Sequence, residues 1–322
     1  MKKKLLTLVV TAHNEENFIV RCLDSIIKST EIEKDKVEII VSINNSSDKT
    51  LEIANEFVTK YDNIKIVESK KAGPSVARNY GIKESSGEYL TFIDGDDFID
   101  ENILEVIKII EKNRDIDYFL NTYLILKNNE IIIPKVAKPR YLNKKLDLYG
   151  FASNFNLNTC FSSSSARILK TKIIKEKCLY YDERFFQMED MLFGTQILNQ
   201  MNNFMFINEP YYHYEIGHDS SLTKSISIER MIQGFMATKT SQDWIKQNLK
   251  DKRVAKVFLR FSSLLSYSLI KRVKILNEKD KKKVYEFFKN KNSILNYPYF
   301  ISTKLFYIIY KLFGIRFALK FV

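Results

Sequence analysis

The sequence predicts an α/β fold built on a largely parallel sheet and followed by a helical extension. Over the first hundred residues, short β-branched runs alternate with amphipathic stretches, the pattern of β-α-β units. The chain has 322 residues, 45% of them hydrophobic and 13% aromatic, which is enough apolar side chain for a sizeable core and excludes a largely disordered protein. After Tyr214 glycines and acids thin out and long Lys-rich helical patterns take over. These shifts divide the chain into residues 1–225 and 226–322.

Leu5–Val10 reads as the first strand. Met1 to Lys4 ahead of it give the outline of a signal sequence, but Thr7 interrupts the apolar run, which leads straight into His13, Asn14, Glu15 and Glu16. Cys22, Cys160 and Cys178 are scattered, with no C-x-x-C pair, which fits a reducing, cytoplasmic setting and neither a disulfide framework nor a zinc site. Asn17–Lys28 carries Ile19, Cys22, Leu23, Ile26 and Ile27 at helical spacing. Val37–Ile43, Ile64–Val67 and Tyr89–Ile93 are the next strands, with helices over Ser47–Lys60 and Ser75–Glu84 between them. Asp48 stands as a helix cap before Leu51, Ile53, Ala54 and Phe57, and Pro74 sits where a first-turn proline is tolerated. Glu101–Lys112 is a further helix. Tyr118–Leu126 and Glu130–Val136 form a hairpin turning at Asn128–Asn129. The extension holds helices over Ile228–Gln247, Val254–Ile275 and Asp280–Lys289.

The net charge of +12 is concentrated in the extension. From Ile245 to the end there are 19 Lys and Arg against 4 Asp and Glu, whereas residues 1–244 hold 32 against 35. Such a segment suits nucleic acid, an anionic membrane surface or plain water, so the motifs decide. In Ile301–Val322, which has no acid, Lys304, Lys311, Arg316 and Lys320 interrupt each apolar run short of the ~18 residues that a span requires. This stretch therefore reads as lying on a membrane or packing on the domain, and not as crossing a bilayer.

The chemistry begins at Gly87–Asp97, an apolar strand that ends in Asp94, Asp96 and Asp97 with Gly95 among them. Clustered carboxylates are costly without a cation. In an open α/β sheet, ligands collect at the carboxyl ends of strands, where carboxylates hold Mg2+ or Mn2+ that in turn bridge diphosphate oxygens. A lone D-x-D is weak evidence, because acidic turns are common. Three other segments stand in order before it: Thr11-Ala12-His13-Asn14-Glu15, Ser42-Ile43-Asn44-Asn45-Ser46-Ser47-Asp48 and Ala72-Gly73-Pro74-Ser75-Val76-Ala77-Arg78-Asn79.

Together these four elements resemble the nucleotide-binding half of family-2 glycosyltransferases of the GT-A fold, closely over residues 5–100 and more loosely to about residue 225. The resemblance implies an inverting transfer from a nucleotide sugar to a saccharide or lipid-linked acceptor in surface-polysaccharide assembly. It implies that Thr11, His13, Glu15 and Asn44 border the nucleotide, that Arg78 approaches base or sugar, and that Asp94, Gly95 and Asp96 handle ribose, sugar and a divalent metal, Mn2+ or Mg2+. Asp96 is the preferred direct ligand. The family has acidic residues at the end of strand two, where this chain has Ile43-Asn44. An Asn amide oxygen still accepts a proton from uracil N3, so a UDP-sugar stays favoured. Glu189 and Asp190 open an otherwise apolar helix and are similar to the family's Glu-Asp pair, which makes Asp190 the general base and Glu189 its neighbour. On residue grounds alone, acids in a first helical turn also answer the helix dipole. Tyr211–Thr223 resembles the segment that closes over the diphosphate, with His218, and less so His213, as a further metal or phosphate contact. By the resemblance, Ser162–Ser165 and Arg167 lie on a strand bordering the acceptor, and the residues themselves fit a polar surface strand equally well.

Other readings fit less of the chain. A nucleic-acid-binding protein or metal-dependent nuclease would use the basic tail and three carboxylates, but no helix-turn-helix or zinc signature accompanies the lysines, and Arg78 and Glu189-Asp190 go unexplained. A nucleotidyltransferase calls for a glycine-rich loop after strand one, and residues 11–16 contain no glycine. The chain also lacks G-x-G-x-x-G and G-x-x-x-x-G-K-[ST]. A non-catalytic relative is disfavoured because Asp94, Asp96 and Asp190 are all present. The tail is thus expected at an anionic inner membrane surface, with no nucleic-acid partner.

Overall fold

A computed structural model describes residues 4–127, 130–133, 141–154, 163–216 and 227–290, together with Phe306, Tyr307, Tyr310 and Ala318. The first four strands are β1 (Leu6–Ala12), β2 (Val37–Asn44), β3 (Ile64–Ser69) and β4 (Tyr89–Asp94), joined by helices α1 (Ile19–Thr30), α2 (Thr50–Lys60) and α3 (Pro74–Glu84). Each pairing among these strands is parallel. Strand β2 is buried along its whole length, as expected for a parallel strand covered on both faces. Helix α1 buries Ile19, Cys22, Leu23 and Ile26, the face given by its spacing. Pro74 occupies the first turn of α3, where its missing N–H costs nothing.

A short strand β5 (Phe98–Ile99) and helix α4 (Ile103–Lys112) follow, then β6 (Tyr118–Leu120), β7 (Leu124–Lys127) and β8 (Glu130–Ile132). Here the structure corrects the single strand expected over Tyr118–Leu126. That segment breaks at Asn121, and its halves join different sheets. β6 enters the main sheet, while β7 pairs with β8 as the expected hairpin. The physical reason is Asn121, fully buried, whose amide donates to the Glu209 carbonyl and whose Oδ1 accepts from Thr122 and Glu209 N–H, satisfying the backbone where pairing stops. The turn at Asn128–Asn129 lies outside the described residues.

Helix α5 (Leu148–Ser153), β9 (Arg167–Lys170), α6 (Thr171–Glu176), α7 (Glu189–Leu198), β10 (Phe204–Phe206) and β11 (Tyr212–Ile216) come next along the chain. The main sheet has the order β10-β6-β9-β4-β1-β2-β3, with β9 antiparallel to both its neighbours. The second sheet runs β5-β11-β7-β8. The extension forms α8 (Ile228–Asn248), α9 (Lys252–Arg272) and α10 (Glu278–Asn290), close to the three expected helices. Among the described residues no helix is long and apolar enough to cross a membrane.

The chain divides into two units, Met1–Glu183 with Ile197–Ser221, and Arg184–Gln196 with Leu222–Val322. The first has its core on the faces of the main sheet, where Leu6, Leu8, Val10, Ile39, Val41 and Ile93 are fully buried or nearly so. Each such aliphatic side chain contributes about 1.5–3 kcal/mol. The second has its own core around Met231, Phe235, Leu269, Ile270, Val284 and Phe288.

Candidate active site

Strand register brings the expected residues of the sheet to one edge. Thr11 lies opposite Ser42 on one side and Asp94 on the other, so β1, β2 and β4 end at one level. Past that level the chain turns sharply at Asn14 (φ 58°) and Asn45 (φ 52°), where asparagine tolerates the left-handed conformation. Asn14 ties the two loops together: its N–H donates to Ser46 Oγ at 3.1 Å and its Oδ1 accepts from Ser47 N–H at 2.8 Å. His13, itself exposed, donates from Nδ1 to the Asn44 carbonyl at 2.7 Å. The Asn44 amide donates to Gly73 O at 3.2 Å. Gly73 has φ 133°, a conformation only glycine adopts freely, and it aims α3 so that Arg78 faces β4.

Asp94 is gripped from two sides. Thr11 Oγ1 donates to its carboxylate at 3.0 Å and Arg78 at 3.1 Å. Arg78 is only 5% exposed and lies 5.5 Å from the Tyr181 ring centroid. Asp97 is fully buried and accepts from the Tyr212 hydroxyl and from Glu215 N–H, the latter at 2.9 Å. Burial, then Asp96 and Asp94, push its carboxyl well above the carboxylate range, so it anchors the loop from within. Gly95 allows the close approach of Glu15, since a Cβ there would sit 3.1 Å from Thr11 O and 3.3 Å from Glu15 Cγ. Glu15 is pushed up to about 8 by burial first, then by Asp96, Asp94 and Asp48. Its Oε2 is buried with no hydrogen-bond partner among the described residues.

This crowding is the test of whether a cation fits. The repulsion that raises Glu15 and Asp97 comes from Asp94 and Asp96, and a divalent ion beside Asp96 would relieve it. Among the described residues no three His, Cys, Asp or Glu side chains converge as a ready-made metal cage. Asp96, with Asp94 beside it, is where a divalent ion would be held.

Glu189 and Asp190 belong to the helical unit, at the first turn of α7. Glu189 is buried and Asp190 half-buried. The turn ahead of them is held hard. Met188 takes φ 62°, a strained value for a non-glycine residue, and its carbonyl accepts from Leu192 N–H at 3.2 Å. Phe186 N–H donates to Gln233 Oε1 at 3.0 Å. Gly234 of α8 opens the space, because a Cβ there would lie 3.1 Å from Gln187 Cγ and 2.9 Å from Leu269 Cδ1. Phe185, Leu192 and Ala237 form the apolar seat beneath.

Thr11, His13, Glu15, Asn44, Arg78, Asp94, Gly95 and Asp96 thus share the carboxyl edge of one sheet, and Glu189 and Asp190 share one helical turn. His218 and Ser162 lie outside the described residues. His213 is engaged within the fold: Nε2 is 2.7 Å from Asp100 Oδ2, and the ring stacks on Phe98 at 4.5 Å. Arg167, expected at an acceptor-facing strand, is fully buried, as are Ser164 and Ser165 nearly so. Sequence reasoning missed Arg21, and it singled out Tyr211–Thr223 without seeing that Tyr212 and Glu215 there hold the acidic loop. Tyr212 and Glu215 are far from it in sequence, so only the acid-rich loop's need for donors hinted at them.

Comparison with known proteins agrees with this geometry. The family model described as Glycosyl transferase family 2 matches residues 7–176. Glycosyltransferase GlyA of Streptococcus pneumoniae is 40% identical over 113 residues, 34% of this chain and 16% of that protein. Cholesterol galactosyltransferase of Borreliella burgdorferi is 28% identical over 77% of this chain and 72% of its own length. The poly(ribitol-phosphate) β-N-acetylglucosaminyltransferase TarS of Staphylococcus aureus is 24% identical over 65% of this chain, which spans 35% of TarS. The crystal structure of S. aureus TarS 1-349 in complex with UDP-GlcNAc aligns with 98% of this chain and 90% of its own at a TM-score of 0.77 and 17% identity, which shows the shared GT-A fold with its C-terminal helices. With 170 of 322 residues matched by the family model and the strand-end motifs assembled at one sheet edge, the chain belongs to glycosyl transferase family 2.

Proposed function

We propose that the protein is an inverting, metal-assisted glycosyltransferase that moves a sugar from a nucleotide-sugar donor, with UDP-sugars favoured, to a saccharide or lipid-linked acceptor in surface-polysaccharide assembly. The observation that carries this reading is the assembly at one sheet edge of Thr11, Asp94 and Arg78 beside Glu15 and Asp96. TarS is named with UDP-GlcNAc bound and as a transferase acting on poly(ribitol-phosphate), and a Pyrobaculum calidifontis mannosyltransferase of TM-score 0.55 is named with GDP-Man and Mn2+. These relatives support the donor class and a divalent ion.

In this reading His13 and Asn44 border the base, Thr11 and Arg78 fix Asp94 against the ribose and sugar, and Asp96, with Asp94 beside it, would hold the ion. Mn2+ or Mg2+ would supply charge neutralisation for the departing diphosphate. Asp190 takes the proton of the acceptor hydroxyl as that oxygen bonds to the anomeric carbon. The carbon–oxygen bond to the diphosphate breaks with its electron pair, and attack from the opposite face inverts the centre. Glu189 steadies Asp190 or touches the acceptor.

The basic extension supports a place at the anionic inner face of the plasma membrane. At the α8–α9 turn an open hollow of about 560 Å³ is lined by Lys246, Lys250, Lys252 and Lys256 around Leu249 and Leu259. The nearby Asp251 is committed to Arg253 and to the α9 N-terminus. Melting the protein with UDP, GDP, CDP or dTDP, with and without Mn2+, tests the donor reading, because a ligand of the folded state raises the melting temperature. A Mn2+-dependent rise with UDP is expected. A rise with GDP in its place reassigns the base, and no rise with any nucleotide counts against the proposal.

A further inference from the structure

We infer that Arg21 is a positioning residue for the metal and diphosphate site, clamping the acidic loop through the backbone of Asp96; the inference rests on the donor-site reading above. Arg21 flanks the buried face of α1, with its side chain 42% exposed. Its Nη2 donates to the Asp96 carbonyl at 2.7 Å. Its Nη1 lies 2.5 Å from Glu215 Oε2, and the guanidinium carbon sits 4.9 Å from the Phe98 ring centroid. Glu215 closes a ring by donating its own N–H to Asp97 Oδ1 at 2.9 Å. Beneath, Phe98 stacks on His213, which bonds Asp100. With Ile99 N–H donating to Ser25 Oγ of α1 at 3.1 Å, every residue from Asp96 to Asp100 is held by α1 or β11.

The need for such a clamp is electrostatic. The link from β4 to β5 is Gly95-Asp96-Asp97, preceded by Asp94, so three carboxylates repel one another within four residues. Thr11 and Arg78 hold the first and Tyr212 holds the third. The middle residue, which by the resemblance is the ligand, has its main chain fixed by Arg21. A ligand carboxylate has to be placed within about 0.5 Å to bind well, and a planar guanidinium can serve a carbonyl, a carboxylate and a ring face at once, which an ammonium cannot. Arg21 is more than a third exposed, so its pairing with half-buried Glu215 is screened and adds little to folding, and the residue's value lies in geometry.

Calorimetric titration of Mn2+ with UDP into the full chain tests this. Arg21→Ala is expected to weaken Mn2+-dependent UDP binding by about tenfold and to leave metal-free UDP binding within about twofold. Donor KM should rise in parallel while kcat changes by less than about threefold. Arg21→Lys should recover part of the affinity. Glu215→Gln should act in the same direction, and the double variant should be no worse than Arg21→Ala alone, since both residues serve one contact. Arg21→Ala protein that melts lower but binds Mn2+ and UDP as the wild type does overturns the clamp. Wild-type protein that binds no UDP with Mn2+ overturns the donor-site reading, and the clamp with it, so the two failures are told apart.

Discussion

Arg78 donates to the Asp94 carboxylate at 3.1 Å from a position that is itself almost fully buried. The pair joins α3 to the end of β4, and Thr11 reaches the same carboxylate oxygen from β1. Asp94 keeps about a third of its side chain in contact with solvent, so its charge is only partly desolvated. Replacing Arg78 with Met removes one partner and leaves the other half-compensated. We expect a loss of about 1–3 kcal/mol, discounted from the fully buried case, seen as a lower melting temperature. UDP affinity should fall at the same time. Unchanged melting and affinity would show that Thr11 alone holds Asp94.

Gly234 gives a second, separable handle on catalysis. A branched side chain there would press on Gln187 and Leu269 and shift the turn that starts α7. Overpacking of this kind costs about 1–3 kcal/mol. Gly234→Val should cut kcat by about tenfold or more, because Asp190 follows that turn directly, while UDP affinity stays within about twofold. Single-turnover assays beside calorimetry check it, and equal losses in both would instead indicate general unfolding.

The first four strands and three helices were legible because their apolar periods are clean and nothing overrides them. So was the site edge: Thr11, Asn44 and Asp94 end strands whose spacing is set by the β-α-β repeat. The break at Asn121 was not legible, because Asn121-Thr122 reads as a brief polar step inside an otherwise apolar run and the decision to switch sheets is made by a buried amide reaching Glu209, 88 residues on. The Arg21 and Tyr212 contacts were hidden for the same reason. Residues 184–196 grouping with the helical unit also escaped notice, since nothing local in that segment marks its partner as α8.

Glu15 gives the protein a pH dependence whose sign is fixed. Burial and the neighbouring carboxylates raise its folded pKa to about 8, above the unfolded value. Below about pH 4.5 the group is neutral in both states and costs nothing. Between there and about 8 the unfolded chain gives up a proton that the folded chain retains, so stability falls as pH rises. Buried Asp97 acts in the same sense. Thermal melts from pH 5 to 8 without metal should therefore decline, and Glu15→Gln should flatten part of that slope. A slope unchanged by Glu15→Gln would place the proton elsewhere.

Asp96 and Asp190 should separate binding from chemistry. Asp96→Ala is expected to abolish the metal-dependent part of donor binding. Asp190→Asn should leave donor binding intact and lower transfer by about 10²–10⁴, the range for a general base. An Asp190→Asn enzyme with wild-type turnover would remove Asp190 from that role and direct attention to Glu189.

The membrane reading makes a prediction that distinguishes two parts of the extension. If the apolar, acid-free stretch 301–322 anchors the chain, its deletion should release the protein from vesicles containing anionic lipid. If the lysines at the α8–α9 turn supply most of the attraction, Lys250→Glu with Lys252→Glu and Lys256→Glu should release it even with the terminus intact. Each lysine near an anionic surface is worth about 1 kcal/mol, and reversal doubles the change, so three reversals amount to a loss of about four decades in partitioning. The two contributions differ in salt response. Charge-driven binding weakens steeply as ionic strength rises, whereas burial of apolar side chains does not. Flotation at two salt concentrations therefore assigns the attachment, and vesicle binding retained by both variants at both concentrations would remove the extension from it altogether.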